Sequence, residues 1–150
     1  MPVNNLNPLA ISINLCYFIQ EGYKRMPAIQ RTIIVIEDEQ DAAEMSAEMM
    51  HVSGIRVLKA FGSSSAMSTI NKEEPAAVIL DIMMPDFSGL EVLRYMRREP
   101  NLAALPVAVV STKSMPANIQ SGLEAGASVF LTKPVGYSDL KNAVDTVLSA

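Results

Sequence analysis

Four short apolar runs in this chain each stop on residues able to do chemistry. Thr32–Ile36 runs into Glu37 and Asp38, and Ala76–Leu80 runs into Asp81. Pro106–Val110 ends on Ser111 and Thr112, and Ser128–Leu131 ends on Thr132 and Lys133. Brought together, these ends supply three carboxylates, a hydroxyl and an ammonium. Carboxylates in contact raise one another's pKa by units unless a cation intervenes. A small, hard divalent ion that prefers oxygen and keeps several waters suits such a group, and Mg²⁺ is the natural candidate. An aspartate beside that ion can attack phosphorus and form an acyl phosphate. The lysine and the hydroxyl then stabilise the equatorial oxygens of the transferred group.

Convergence needs a parallel sheet. The runs are rich in branched side chains and lack alternation, as expected of strands buried on both faces. Pro85 prevents simple continuation of the run that ends at Asp81. Arg56–Ala60 reads as a less apolar strand at a sheet edge. Between the strands lie helical stretches. Ala42, Met45, Met49 and Val52 mark one inward stripe, with Met45, Met49 and Met50 mostly in the core, and Gly54 stops that helix. Ser63–Asn71 makes a second helix with Ala66, Met67 and Ile70 inward. Ser88 and Glu91 match a capping box ahead of a third, with Leu90, Leu93 and Met96 or Arg97 inward. Pro116 opens a fourth through Ile119 and Leu123, stopping near Gly126. Leu140, Val144, Val147 and Leu148 line the last. Five strands alternating with five helices imply a doubly wound α/β sheet with helices on both faces, its carboxyl ends forming the ligand edge.

Composition narrows the class. The 150 residues suffice for one domain, 49% are hydrophobic, and Trp is absent. A net charge of −4 without a Lys/Arg cluster gives no footprint for nucleic acid. One cysteine, Cys16, excludes an internal disulfide framework and fits a reducing, cytoplasmic compartment. The apolar stretch Leu9–Ile19 is too short to span a membrane and lacks the flanks of a secretory signal.

Glu37-Asp38 after a strand, Asp81 followed by Met84-Pro85 and Gly89, Ser111 after a strand, and Lys133-Pro134 together resemble the receiver domain of two-component response regulators. The resemblance covers residues 32–149 and implies the flavodoxin-like strand order 2-1-3-4-5. It implies that Asp81 is the phospho-acceptor, and that Glu37, Asp38, Asp81 and the backbone carbonyl of Met83 hold Mg²⁺. Ser111 corresponds to the switch hydroxyl, Lys133 to the paired cation, and Phe130 to the switch aromatic. The phosphodonor is then a histidine kinase or a histidine phosphotransfer protein. The output face is the fourth helix, fifth strand and last helix, and the first helix receives the donor.

Some positions depart from the common pattern. The acidic pair is Glu-Asp rather than Asp-Asp, and the switch aromatic is Phe rather than Tyr. Met83 and Lys113 occupy variable positions that tune how water reaches the acyl phosphate. His51, near the end of the first helix, suits the helix dipole rather than a phosphotransfer role.

Several functions compete for this site: a phosphorylation-dependent switch, a relay intermediate passing the phosphoryl group to a histidine phosphotransfer protein, and a phosphorylation-independent interaction module. Phosphatases with an aspartyl nucleophile place a second aspartate two residues on, where this chain has Met83. With the last helix finishing the chain, the signal is expected to leave by protein contact or by passing the phosphoryl group onward. Residues 1–31 are expected to be an inessential extension, with Met26 an alternative start.

Overall fold

The structure, a computed structural model, describes residues 31–149 apart from Phe87. Five strands form one parallel sheet: β1 (Thr32–Ile36), β2 (Arg56–Ala60), β3 (Ala77–Asp81), β4 (Val107–Ser111) and β5 (Val129–Thr132). Their order is β2-β1-β3-β4-β5, with β2 at an edge as its mixed composition predicts. The helices are α1 (Gln40–Val52), α2 (Ser63–Glu73), α3 (Gly89–Arg98), α4 (Pro116–Glu124) and α5 (Tyr137–Leu148).

β3 lies third of five, and all its residues are buried. Its side chains alternate between two apolar layers. Val78 and Leu80 join Ile34, Ile36, Val107 and Val109 under α2 and α3, where Ala66, Ile70, Val92, Leu93 and Met96 close the layer. Ala77 and Ile79 join Ile33, Val35, Ala108 and Val110 under α1 and α5. Each large aliphatic buried here contributes about 1.5–3 kcal/mol. Truncating fully buried Leu80 to Ala at the centre of one layer costs about 2–5 kcal/mol.

The helices depart from expectation in detail. α1 buries Ala43, Ala47 and Met50, one position on from the expected stripe, and leaves Met45 and Val52 exposed. Both stripes are apolar, and the sheet selects the one with small alanines because α1 packs directly on β1 and β2. α2 runs two residues past Asn71, to Glu73. In α3, Val92 is buried with Leu93 and Met96, whereas Leu90 is only partly covered. Ser88 is the N-cap of α3 but makes no side-chain cap hydrogen bond, so the capping box does not form. The Glu91 amide that such a box would serve donates instead to the Ser88 carbonyl at 3.0 Å, beside the ordinary first helical bond from Val92 at 3.2 Å. In α4 Leu123 is exposed, Ile119 is half-buried, and the buried residue is Gly122.

Arg97 lies only half-buried, and its guanidinium donates to the carbonyls of Leu102, Ala103, Leu105 and Gly126. It ties the α3–β4 and α4–β5 connections together, a role that helical spacing alone did not reveal. Arg31, assigned above to the extension, is already part of the domain. Its carbonyl accepts the Arg56 amide, and its guanidinium donates to Leu148 O at 3.0 Å. The rest of the expected extension, residues 1–30, lies outside the described residues. No helix among the described residues is long and apolar enough to cross a membrane.

Candidate functional site

Parallel pairing places the strand ends side by side: Ile36 is opposite Leu80, Asp81 opposite Val110, and Ser111 opposite Thr132. Glu37 is the first residue beyond β1, and its amide is held by Ala60 O at 3.1 Å. Lys133 is the first beyond β5, and its amide donates to Ser111 O at 2.8 Å. The Lys133–Pro134 peptide is cis.

The side chains then meet over the sheet edge. Lys133 Nζ donates to Glu37 Oε2 at 2.8 Å and to Asp81 Oδ2 at 3.1 Å. Asp81 Oδ1 accepts the Met83 amide at 2.9 Å, and Glu37 Oε1 accepts the Glu39 amide at 3.3 Å. Glu37 and Asp81 are buried, at 5% and 4% exposure, while Asp38 is exposed. Carboxylate oxygens of Glu37, Asp38 and Asp81 all lie within 4.8 Å of one another.

Burial, with the Asp81 carboxylate beside it, pushes Glu37 up to about 7 in spite of Lys133. Burial alone would lower Lys133. Its hydrogen bonds to Glu37 and Asp81, and their charges, outweigh that and hold the ammonium above its ordinary value. One cation thus serves two buried anions, with a third carboxylate next to them.

This cluster fits Mg²⁺. The donors are hard carboxylate oxygens, and their mutual separations of no more than 4.8 Å are within the span that one ion with bonds of about 2.1 Å can bridge. Exposed Asp38 opens onto a cleft of about 830 Å³ shared with Met83, Asp86, Ser88 and Lys113, which leaves room for waters and a phosphoryl group.

The remaining expected residues lie around this centre. Ser111 is fully buried, and its hydroxyl accepts the Lys113 amide at 3.1 Å. Thr112 is exposed just beyond it. Phe130 is half-buried on β5, its ring resting against Gly122 of α4. Met83 is 46% exposed at the lip of the cleft. Gly89 is required by contact: a Cβ there would stand 2.4 Å from the Asp81 carbonyl oxygen and 2.6 Å from Ile82 Cα. α3 can therefore start hard against the end of β3. His51 is exposed on the last turn of α1. On the opposite side of the cluster, Met45, Met49, Val135 and Leu140 line an apolar groove of about 470 Å³ that reaches Asp81 and Lys133.

Comparison with known proteins agrees with this architecture. The family described as the response regulator receiver domain matches residues 33–145. The chain belongs to that family. This receiver is 29% identical to the protein PilH of Pseudomonas aeruginosa, over 78% of this chain and 97% of that one. It is 30% identical to PhoB, the phosphate regulon transcriptional regulatory protein of the same organism, over 80% of this chain and 52% of that protein. The receiver thus spans about half the length of such regulators. The receiver domain of Francisella response regulator 1452 superimposes with a TM-score of 0.75 at 25% identity, covering 80% of this chain and 98% of that one. The chemotaxis response regulator CheY4 of Vibrio cholerae shares the fold, with a TM-score of 0.74 at 23% identity, over 79% of this chain and 99% of that one. Receivers generally bind Mg²⁺ at an acidic pocket, take phosphate from histidine kinases and act on protein targets, and membership of the family is consistent with two-component signalling.

Proposed function

We propose that this receiver is a phosphorylation switch in which Asp81 accepts a phosphoryl group from a phosphohistidine. The observation that carries the reading is the bridge from Lys133 Nζ to both Glu37 and Asp81, with Asp38 alongside. An oxygen of Asp81 attacks phosphorus, and the phosphorus–nitrogen bond breaks with its electron pair leaving on the imidazole nitrogen. Glu37, Asp38, Asp81 and the Met83 carbonyl are the groups that would hold Mg²⁺, which offsets charge on the phosphoryl group when bound. Lys133 keeps the nucleophile oriented through Oδ2, and the Met83 amide does so through Oδ1. After transfer, Lys133 and the Ser111 hydroxyl stabilise the new phosphoryl oxygens.

The output follows from Ser111 and Phe130. The hydroxyl leaves the Lys113 amide for the phosphoryl group, and the space it vacates admits the Phe130 ring. That movement alters the face formed by α4, β5 and α5, where a protein target binds. The donor is a histidine kinase or a histidine phosphotransfer protein, and the setting is cytoplasmic. The test is intact mass after incubation with Mg²⁺ and acetyl phosphate. One added phosphoryl group, absent without Mg²⁺ and absent in Asp81→Asn, is the expected result; incorporation in that variant overturns the assignment.

A further inference from the structure

α2 starts without a cap of its own. Its N-cap is Gly62, which has no side chain and a φ of +90°. The oxygen that serves its first amide comes from the other side of the site: Ser63 N–H donates to Asp86 Oδ2 at 3.4 Å, the long end of hydrogen-bond range. The approach is tight, since a Cβ on residue 62 would stand 2.9 Å from the same oxygen. Glycine suits residue 62 through its positive φ, and with no side chain there the Asp86 carboxylate can close onto the helix start without moving aside. A carboxylate at this place also complements the positive end of the helix dipole.

Asp86 belongs to the connection between β3 and α3 that carries Met83. That connection is pinned near β3 by the Met83 amide on Asp81 Oδ1 and by pairing of Met83 with Ser88. Gly89 N–H closes it onto Ile82 O at 3.0 Å. Between these points, the Asp86 contact ties the segment sideways to α2. Asp86 also lines the same cleft as Asp38 and Met83.

We propose that Asp86 is a positioning residue: by capping α2 it fixes the segment that carries the Met83 carbonyl, and so sets the affinity of the site for Mg²⁺. This rests on the Mg²⁺-dependent reading above. The rival account is that Asp86 acts only as one more negative charge beside the cleft. Asparagine separates the two, because it caps helices about as well as aspartate yet carries no charge.

Mg²⁺ affinity by calorimetry and acetyl phosphate labelling are to be compared for the full chain, Asp86→Ala and Asp86→Asn. In Asp86→Ala the Mg²⁺ dissociation constant should rise about three- to fivefold, the scale of one lost cap. Its labelling should slow at low Mg²⁺ and recover at saturating Mg²⁺. Asp86→Asn should stay within about twofold of wild type on both readouts, as an equivalent cap implies. In metal-free protein, hydrogen exchange at Ser63 and Ser64 should quicken in the alanine variant only. Wild-type Mg²⁺ affinity in Asp86→Ala, or an asparagine variant as weak as the alanine one, overturns this inference alone. A wild-type chain that takes up neither Mg²⁺ nor a phosphoryl group overturns the parent reading, and this inference with it.

Discussion

Lys133 Nζ lies 2.8 Å from Glu37 Oε2, although their strands are not neighbours: β3 and β4 separate β5 from β1. Three strand spacings amount to about 14 Å, so both side chains must lean over Asp81 to meet. Glutamate rather than aspartate after β1 provides the added reach. The contact makes Glu37 more than a candidate metal ligand, because it shares Lys133 with the proposed nucleophile.

Lys133→Met leaves two buried carboxylates facing each other without a cation. Stability at pH 8 should fall by about 1–3 kcal/mol, less than for a fully buried pair because the lysine side chain is 24% exposed. Adding Glu37→Gln should recover part of that loss. Urea unfolding of the single and double variants checks it; an additive double variant would show that the two residues are not coupled.

Glu37, raised to about 7 in the metal-free fold against an ordinary 4.5, binds a proton that the unfolded chain releases earlier. Its stabilising contribution is complete below pH 4.5 and is lost as pH rises through about 7. Urea midpoints in a chelator should therefore carry a downward component across this window, worth at most about 3 kcal/mol. Glu37→Gln should remove that component. An identical pH slope in both proteins would refute the shift.

Asp81→Asn should abolish phosphoryl incorporation while leaving the melting temperature of metal-free protein unchanged or higher. The substitution keeps the volume and removes one of the clustered negative charges, and Lys133 retains Glu37 as its partner. Intact mass and thermal melting measure the two effects separately. A large loss of stability would mean that the Lys133–Asp81 pair outweighs the carboxylate repulsion.

Gly122→Ala should act on Phe130. A Cβ on residue 122 would stand 2.7 Å from the ring, so the ring must turn aside. A helix-interior Gly→Ala change gains up to about 1 kcal/mol, which partly offsets the displacement. Shifted Phe130 ring resonances and altered partner affinity of the unphosphorylated form are the expected readouts. Unmoved resonances would show that α4 yields instead of the ring.

Ser111→Ala should weaken the link between phosphorylation and output while leaving phosphoryl uptake in place. A reversal from 1:99 to 99:1 needs roughly 5 kcal/mol of differential stabilisation, and a charge-assisted hydrogen bond supplies part of it. Target affinity of phosphorylated wild type and variant is the comparison. Equal affinities would remove Ser111 from the switch.

Strand positions, their parallel pairing and the meeting of Glu37, Asp81 and Lys133 at one edge were legible in the linear sequence. Strands buried on both faces must be continuous apolar runs, and in a parallel sheet whatever follows each run lands on the same side. The helix faces were less legible. Ala42 with Met49 and Ala43 with Met50 offer two apolar stripes one residue apart, and only packing against β1 and β2 decides that the second is buried. Ser88 and Glu91 have the spacing of a capping box, yet the Glu91 amide donates to the Ser88 carbonyl instead. Arg97 reads as one more charge on a helix, because its carbonyl acceptors lie in connections whose paths no periodicity describes. Asp86 was equally hidden. Its contact with Ser63 spans 23 positions between a loop and a helix start, and such meetings exist only once the sheet has set where each connection crosses its edge. Composition and period specify local elements and buried runs; side chains that bridge separate connections are decided by the tertiary fold.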